Sequence, residues 1–462
     1  MHESLPPGPR LPSALQIVEW AFRPIPFIEG CARRFGETFT IRFPNYPPIV
    51  LVSDPETIRE VFGGDPDQLY SGSPNRMLTP LLGVNSLILL DGTPHRKRRK
   101  LLMPPFHGER MRAYGSIMRE VADAEIGRWE TGRAFPVHPR MQRITFDVIL
   151  RTVIGIGDSQ RLERFRSALL RLMGFTANPG TLLMVTRTGE IRGAALQERL
   201  GPFSPWGRFL RLRAAVDELL FDEFARRRTE HDTEREDILS LLLDARDEAG
   251  GAMSDRELRD EMMTLLVAGH ETTATALSWV LYRVLRDREV LDAVVGELRA
   301  VAGSGPVESE QVPRLEYLDA VIKETARLHP VLPFVVRELQ SPMTLGKLTL
   351  PAGVIVAPNI LLTHRRADLW PEPERFDPRR FVGKKYRGDR FFPFGGGVRT
   401  CVGMAFASFE MKIVLAQTLL SKRLRLKPGY RARVVRRSIT FAPSAGMPVI
   451  VEERATPGFP GG

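Results

Sequence analysis

Cys401 lies in the run Phe394-Gly395-Gly396-Gly397-Val398-Arg399-Thr400-Cys401-Val402-Gly403, just ahead of a helix-forming segment, Met404-Ala405-Phe406-Ala407. The glycines let the backbone approach a large flat partner and take positive φ at no steric cost. A sulfur near a helix N-terminus is favoured as thiolate, because backbone N–H groups and the helix dipole stabilise negative charge there. A lone thiolate presented by such a loop can be a nucleophile or an axial metal ligand. The only other cysteine, Cys31, follows an apolar run from Ile25 to Ile28 and reads as a buried, inert thiol. Neither has a CxxC or HxxxC neighbour, which excludes a structural zinc pattern and a disulfide framework.

Three further segments carry chemistry. Ala268-Gly269-His270-Glu271-Thr272-Thr273 sets an acid beside a hydroxyl between apolar flanks, Leu265-Leu266-Val267 and Ala274 to Leu277. Taken alone it also fits a packing glycine with threonines bonded back to the helix. Glu324 and Arg327 are three apart on a helix that should stop before Pro330, so they can pair. His95 and Arg99, one turn apart after Asp91-Gly92-Thr93-Pro94, suit a pair of carboxylates.

The pattern Phe-x-x-Gly-x-Arg-x-Cys-x-Gly (Phe394, Gly397, Arg399, Cys401, Gly403) resembles the haem-thiolate loop of the cytochrome P-450 monooxygenases, and the other segments follow in that family's order. The resemblance runs from the proline-rich start to the terminal strands. It implies an α+β fold, a single mostly helical domain over residues 1–462 with small sheets. Haem b would be buried between a long central helix and the cysteine loop, with Cys401 as axial ligand. Phe394, Gly395, Gly403 and Ala268 would lie against the haem, and His95, Arg99, Arg337 and Arg399 would hold its propionates. Thr272 would hydrogen-bond dioxygen, and Glu271 would relay protons with ordered water; O–O cleavage needs two protons while bulk water is kept out. His270 would point away from the iron. Glu324, Arg327 and Arg375, the last from Pro373-Glu374-Arg375-Phe376, would form a structural ion cluster behind the haem.

The same resemblance implies insertion of one oxygen atom from dioxygen into a C–H or C=C bond, favoured by the electron-donating thiolate. Electrons would come from NAD(P)H through separate redox partners, since no GxGxxG fingerprint follows a strand. Pocket walls would include Leu81, Leu82, Val84, Leu87, Leu265, Phe334, Val335 and Ala445, with a further middle segment around 175–185. These apolar residues suit a mid-sized hydrophobic substrate of terpene, steroid, fatty acyl or polyketide type. Arg76 or Arg187 could anchor a carboxylate, and Phe203 to Phe209 is either a lid or ordinary packing. Rival readings are a peroxygenase, isomerase or dehydratase on the same fold, a haem sensor, or a cofactor-free cysteine enzyme. The last lacks a recognisable histidine partner.

These residues need elements to position them. The strongest is a helix opening at the capping box Ser254-Asp255-Arg256-Glu257 and running to about Arg286, roughly 50 Å long. Gly269 should loosen it, at about 1 kcal/mol. Short strands are expected at Phe39 to Phe43, Ile49 to Val52, Met343 to Leu350 and Val354 to Ala357, with helices between about Arg110 and Glu338. Residues 1–10 and 455–462 read as flexible tails.

The chain has 462 residues, ordinary hydrophobic content of 43% and a net charge of +11. No apolar span precedes Pro6-Pro7-Gly8-Pro9, so a monomeric protein of the cytoplasm without a membrane span is expected. The basic run His95 to Lys100 could mark nucleic acid or a solvated helix face. By the resemblance, Arg96, Lys97, Arg98 and Lys100 face solvent on the thiolate side and steer an acidic ferredoxin or flavodoxin, so no nucleic-acid partner is expected.

Overall fold

The computed structural model describes residues 5–106, 108, 110–177, 201, 204–230, 235–248, 250–303, 305–437 and 439–452. Two helices, α1 (Ser13–Phe22) and α2 (Pro24–Phe35), lead into a hairpin of β1 (Thr38–Ile41) and β2 (Ile49–Val52). Next come α3 (Pro55–Gly63), β3 (Leu69–Tyr70), α4 (Thr79–Leu82) and α5 (Gly92–Leu102). The helical middle follows: α6 (Arg110–Ile126), α7 (His138–Thr152) after β4 (Ala134–Pro136), α8 (Ser159–Ala177), α9 (Pro205–Glu230) and α10 (Ile238–Asp244). Then come α11 (Asp255–Arg286), α12 (Arg288–Ala302) and α13 (Glu316–Leu328). Short strands β5 (Arg337–Leu339), β6 (Met343–Leu345), β7 (Leu348–Leu350) and β8 (Ile355–Pro358) lead to α14 (Ile360–Thr363). A long irregular stretch and the cysteine loop precede α15 (Met404–Ser421), and β9 (Arg423–Leu426), β10 (Val434–Arg437), β11 (Thr440–Pro443) and β12 (Pro448–Glu452) close the chain.

The main sheet has the order β1-β2-β8-β5-β3, with β2 and β8 parallel and the other pairs antiparallel. Ile49–Val52 is buried along its whole length, the pattern of a strand covered on both faces. A second sheet, β4-β12-β9, flanks the helices, and β6/β7 and β10/β11 are separate hairpins. This is an α+β arrangement whose helices and sheets segregate along the chain.

Helix α11 is the axis of the main core. Its Ser254 capping box forms, so the start predicted from Ser254 and Glu257 is where the helix begins. Its apolar middle packs most extensively on α7, and α15 packs on α6 and α11. At Gly269 the helix is unbroken: a Cβ there would stand 2.4 Å from Ile149 Cδ1, so the glycine permits close approach to α7 and does not open the helix.

Residues 5–10 are docked and not a loose tail. Thr40 N–H donates to Pro7 O at 3.0 Å, and its hydroxyl donates to Pro6 O at 2.7 Å. Among the described residues one helix, α15, is apolar and long enough to cross a membrane, but it sits inside the helical core. Cys31 is 6% exposed in a separate cluster beneath β1, and burial pushes its thiol up to about 11.

Candidate active site

The cysteine loop is shaped by its glycines. Gly395 and Gly397 take φ of +72° and +65°, a region that penalises any side chain. A Cβ on Gly396 would stand 2.3 Å from the Phe62 ring, and one on Gly397 2.2 Å from Phe62 O, so the loop lies tight against α3. Cys401 N–H donates to Phe394 O at 3.0 Å, and α15 starts just beyond, with Gly403 as its N-cap. The sulfur keeps accessible surface although protein atoms crowd it, so it faces an interior space. Burial raises its pKa; the Gly403 N–H and the Arg99 guanidinium pull it back down.

Four basic side chains gather beside this loop. His95 is 2% exposed on α5, one turn before Arg99, and Arg337 is 5% exposed at the start of β5. Arg337 donates to Val336 O at 2.8 Å and Gly396 O at 3.1 Å, while Arg399 donates to Leu90 O and to the Asp91 carboxylate. Burial, then Arg399, Arg99, Arg337 and Arg96, hold His95 neutral, down to about 3. Burial and the neighbouring Arg399 lower Arg337 to about 9, and burial lowers Arg399 to about 10 although Asp91 opposes it. Asp91 also accepts N–H groups of Ser71, Gly72 and Ser73 at 2.8, 2.8 and 2.9 Å. Buried cations normally have matched anions. Around one carboxylate already bonded to three amides, this donor set fits a cofactor edge that brings two carboxylates of its own. Asp91 is a residue whose part the sequence reading left unassigned.

On α11, Leu265, Ala268, Gly269, Thr272 and Ala276 retain surface, as do Val267 and Glu271 on another side, while Leu266, His270, Thr273 and Ala274 are buried. The first five recur at helical spacing, so one stripe of a core helix borders an interior space. The Thr272 hydroxyl donates to Ala268 O at 2.7 Å, and Thr273 to Gly269 O at 2.8 Å. Packing glycine and back-bonded threonines are therefore both present.

Glu271 turns toward α7. Gln142 Nε2 donates to its Oε2, and His138 Nε2 lies 3.8 Å from Oε1 and 3.3 Å from Thr275 Oγ1. Burial raises the Glu271 pKa, with Gln142 and then Arg437 working against the rise. Burial and Arg437 lower His138 to about 4, so it is neutral. His138 and Gln142 were not singled out from sequence. Their signal was their i, i+4 spacing, which puts both on one face of α7. His270 is buried against Phe146, its Nδ1 2.9 Å from Leu266 O, and burial lowers it to about 4.

The ion cluster differs from expectation in one member. Glu324 and Arg327 are fully buried and pair through both carboxylate oxygens at 2.7 and 2.8 Å. Arg327 also donates to His364 O, Pro373 O and Arg375 O. Arg375 contributes that carbonyl alone. Its side chain is 62% exposed and pairs with Glu372. The arginine whose guanidinium lies by Glu324 is Arg380, 3.5 Å away and 11% exposed, a long ion pair without hydrogen-bond geometry. Pro-x-Arg-Phe occurs twice, at 373–376 and 378–381, and the Asp377 N–H bonded to Glu324 fixes the second in register.

The basic run is also divided differently. Arg98 does not face solvent; it is 8% exposed and paired with Glu257 and Glu261 of α11. Arg96 pairs with Asp67 and Lys100 with Glu248, while Lys97 is exposed.

The expected pocket wall is reduced. Leu81, Leu87 and Leu265 pack around the main core, with Leu87 9% exposed. Leu82, 1% exposed, has no surface left for a ligand, and Val84 is 68% exposed. Phe334 packs against Trp20, ring centroids 5.4 Å apart and tilted by 36°, in the separate cluster beneath β1. Val335 lies at the cysteine loop, 3.5 Å from where a Gly395 Cβ would be, and Ala445 is exposed in a turn with φ of +53°. Backbone direction at each of these positions decides what local apolarity could not. Arg76 is exposed, and Trp206 and Phe209 stack on each other in the core. Arg187, Phe203 and most of the 175–185 segment lie outside the described residues.

Comparison with known proteins adds independent findings. The family model described as Cytochrome P450 matches residues 5–434. Cytochrome P450 135B1 of Mycobacterium tuberculosis is 42% identical over 416 residues, covering 90% of this chain and 84% of that protein. Cytochrome P450 138 of the same species is 35% identical over 453 residues, 97% of each chain. Among solved structures, retinoic acid bound cyanobacterial CYP120A1 aligns with a TM-score of 0.79 and 26% identity over 97% of this chain and 100% of that one. The haem domain of cytochrome P450DA aligns with a TM-score of 0.84 and 25% identity over 97% and 98%.

Proposed function

The chain belongs to the cytochrome P450 family, and from that premise we propose that it is a monooxygenase acting on a mid-sized hydrophobic substrate, with electrons supplied from NAD(P)H by separate redox proteins. Family and fold imply haem iron held by a cysteine thiolate. Cys31 is packed beneath β1, which leaves Cys401 as the ligand. When bound, thiolate-ligated haem supplies reductive activation of dioxygen: substrate C–H, O2, two electrons and two protons give C–OH and water.

The chain's own residues are read as follows. His95, as a neutral donor, and Arg99, Arg337 and Arg399 receive the two propionates, and the excess of guanidinium charge around Asp91 is the observation that carries the reading. Phe394, Gly395, Gly403 and Ala268 border the haem faces. The Thr272 hydroxyl orients dioxygen in the stripe beside Ala268. Glu271 holds a proton for the groove, because burial keeps its carboxyl protonated to higher pH than usual and Gln142 and His138 fix its position. Glu324, Arg327 and Arg380 lock the irregular stretch behind the loop.

The hydrophobic substrate class is supported by Leu81, Leu87 and Leu265 and by the retinoic acid held by a structural neighbour. The redox partner is read as an acidic ferredoxin or flavodoxin. Lys97 and Arg96 beside the loop remain exposed, and Val398 and Met404 add exposed apolar surface there. The setting is read as cytoplasmic and the protein as a monomer. The deciding experiment is the carbon-monoxide difference spectrum of the reduced protein beside Cys401→Ala. A strongly red-shifted Soret band lost in the variant is expected; a haem spectrum without the shift would overturn thiolate ligation.

A further inference from the structure

The segment from Pro80 to Asp91 carries little regular structure, yet side chains from four directions hold its backbone. Arg213 of α9 donates to Pro80 O at 3.0 Å, and Arg259 of α11 donates to Leu82 O at 3.1 Å. The Asp260 carboxylate accepts both the backbone N–H and the side-chain amide of Asn85, each at 2.9 Å. Arg98 of α5 reaches Asn85 O, and the Ser86 and Thr264 hydroxyls are hydrogen-bonded to each other at 2.7 Å. At the far end Arg399 of the cysteine loop donates to Leu87 O and Leu90 O. The anchors on α11 are themselves buried: Arg259 3%, Asp260 6% and Thr264 4% exposed.

Gly83 makes the closest approach possible. Its φ is +91°, and a Cβ there would stand 1.9 Å from Asp260 Oδ1. Charged hydrogen bonds to buried backbone groups are the strong ones, and a partner left behind in the interior costs more than the bond itself contributes. The segment thus runs as a strap from the first turns of α11, where the oxygen-side stripe begins, to the loop that carries Cys401.

A wall of the substrate site on this side is what the family resemblance already implies; we propose that Asp260, seated against Gly83, is the positioning residue that holds this wall fixed and thereby sets which substrates fit. The inference rests on the monooxygenase reading only in calling the enclosed space a substrate site. Leu81 and Leu87, carried between the tied positions, stand at a fixed distance from α11, so selectivity on this side comes from a preset wall and not from loop closure.

The test is hydrogen–deuterium exchange on the haem-loaded full chain, with titration of imidazole and of a bulky aryl-substituted imidazole. In the wild type, amides of residues 85–90 are expected to be protected like helix and unlike surface loop. Asp260→Asn, whose NH2 must face either the Asn85 N–H or the Arg259 guanidinium, should speed their exchange roughly ten- to a hundredfold while α15 is unchanged. It should also weaken the bulky probe several-fold more than imidazole. Ser86→Ala and Thr264→Val remove one tie each and should act in the same direction more mildly, which keeps the question decidable if Asp260→Asn misfolds. Fast exchange of 85–90 in the wild type, or equal effects on both probes, would overturn the proposal. A wild type without the red-shifted carbon-monoxide band would sink the monooxygenase reading instead, and the exchange result would still decide whether the strap is fixed.

Discussion

Replacing Arg327, Arg380 and Arg375 singly by alanine should separate three arginines that one stretch of sequence makes look alike. Arg327 is fully buried and donates five hydrogen bonds, two to Glu324 and one each to the carbonyls of His364, Pro373 and Arg375. Its loss leaves Glu324 buried with only the Asp377 N–H and a distant Arg380, so the cost should be about 3–5 kcal/mol, as for other broken buried pairs. Against a total stability of about 5–15 kcal/mol that is a large share. Arg380 touches Glu324 only at 3.5 Å but also donates to Glu372 O at 3.1 Å, so about 1–2 kcal/mol is expected. Arg375, exposed and paired with exposed Glu372, should cost less than about 0.5 kcal/mol. Urea unfolding followed by tryptophan fluorescence suits the series, because Trp370 lies under the Arg327 guanidinium at 5.4 Å and is 1% exposed. Soret absorbance in the same titration reports whether haem leaves before the core melts. Equal losses for Arg375→Ala and Arg380→Ala would refute the assignment of Arg380. A loss under about 1 kcal/mol for Arg327→Ala would refute the claim that the cluster holds the loop.

Other outcomes follow from single environments. Glu410 is fully buried on α15, neither of its oxygens has a hydrogen-bond partner among the described residues, and burial alone raises its pKa well above the usual value. The folded state then binds the extra proton, so wild-type stability should fall as pH rises above the ordinary carboxyl range. Glu410→Gln should flatten that slope in urea unfolding at pH 5.5 and 8, and an unchanged slope would count against a buried protonated acid. Glu271→Gln should lower substrate turnover on the order of a hundredfold and remove its loss toward high pH, whereas Gln142→Leu should shift the profile upward in pH; no effect of either would exclude Glu271 as the proton source. Gly269→Val should push the Ile149 side chain from its place in the core and cost about 1–3 kcal/mol, read as a lower unfolding midpoint.

The sequence alone determined a good deal here, and for local reasons. The cysteine loop is legible because conformational freedom at glycine, a thiolate and an arginine are fixed by residue type within ten positions. The start of α11 is legible because a capping box is a contact between residues three apart. The strands at Ile49 and Ile355 are legible because both faces are covered and the apolar run is unbroken. What only the tertiary structure decided is where long side chains go once distant segments meet. Arg98, read as a solvent-facing charge, is drawn into α11 by Glu257 and Glu261 from more than 150 residues away in sequence. The choice of Arg380 over Arg375 depends on which of two identical Pro-x-Arg-Phe repeats the Asp377 amide brings to Glu324. Leu82, Val84 and Phe334 are equally apolar on paper, yet one is sealed, one is exposed and one is packed against Trp20. Asp260 and Gly83 had no signature at all. A carboxylate that bonds a backbone amide across 175 residues exists only when the two elements are packed, so local sequence could fix its chemistry but not its partner.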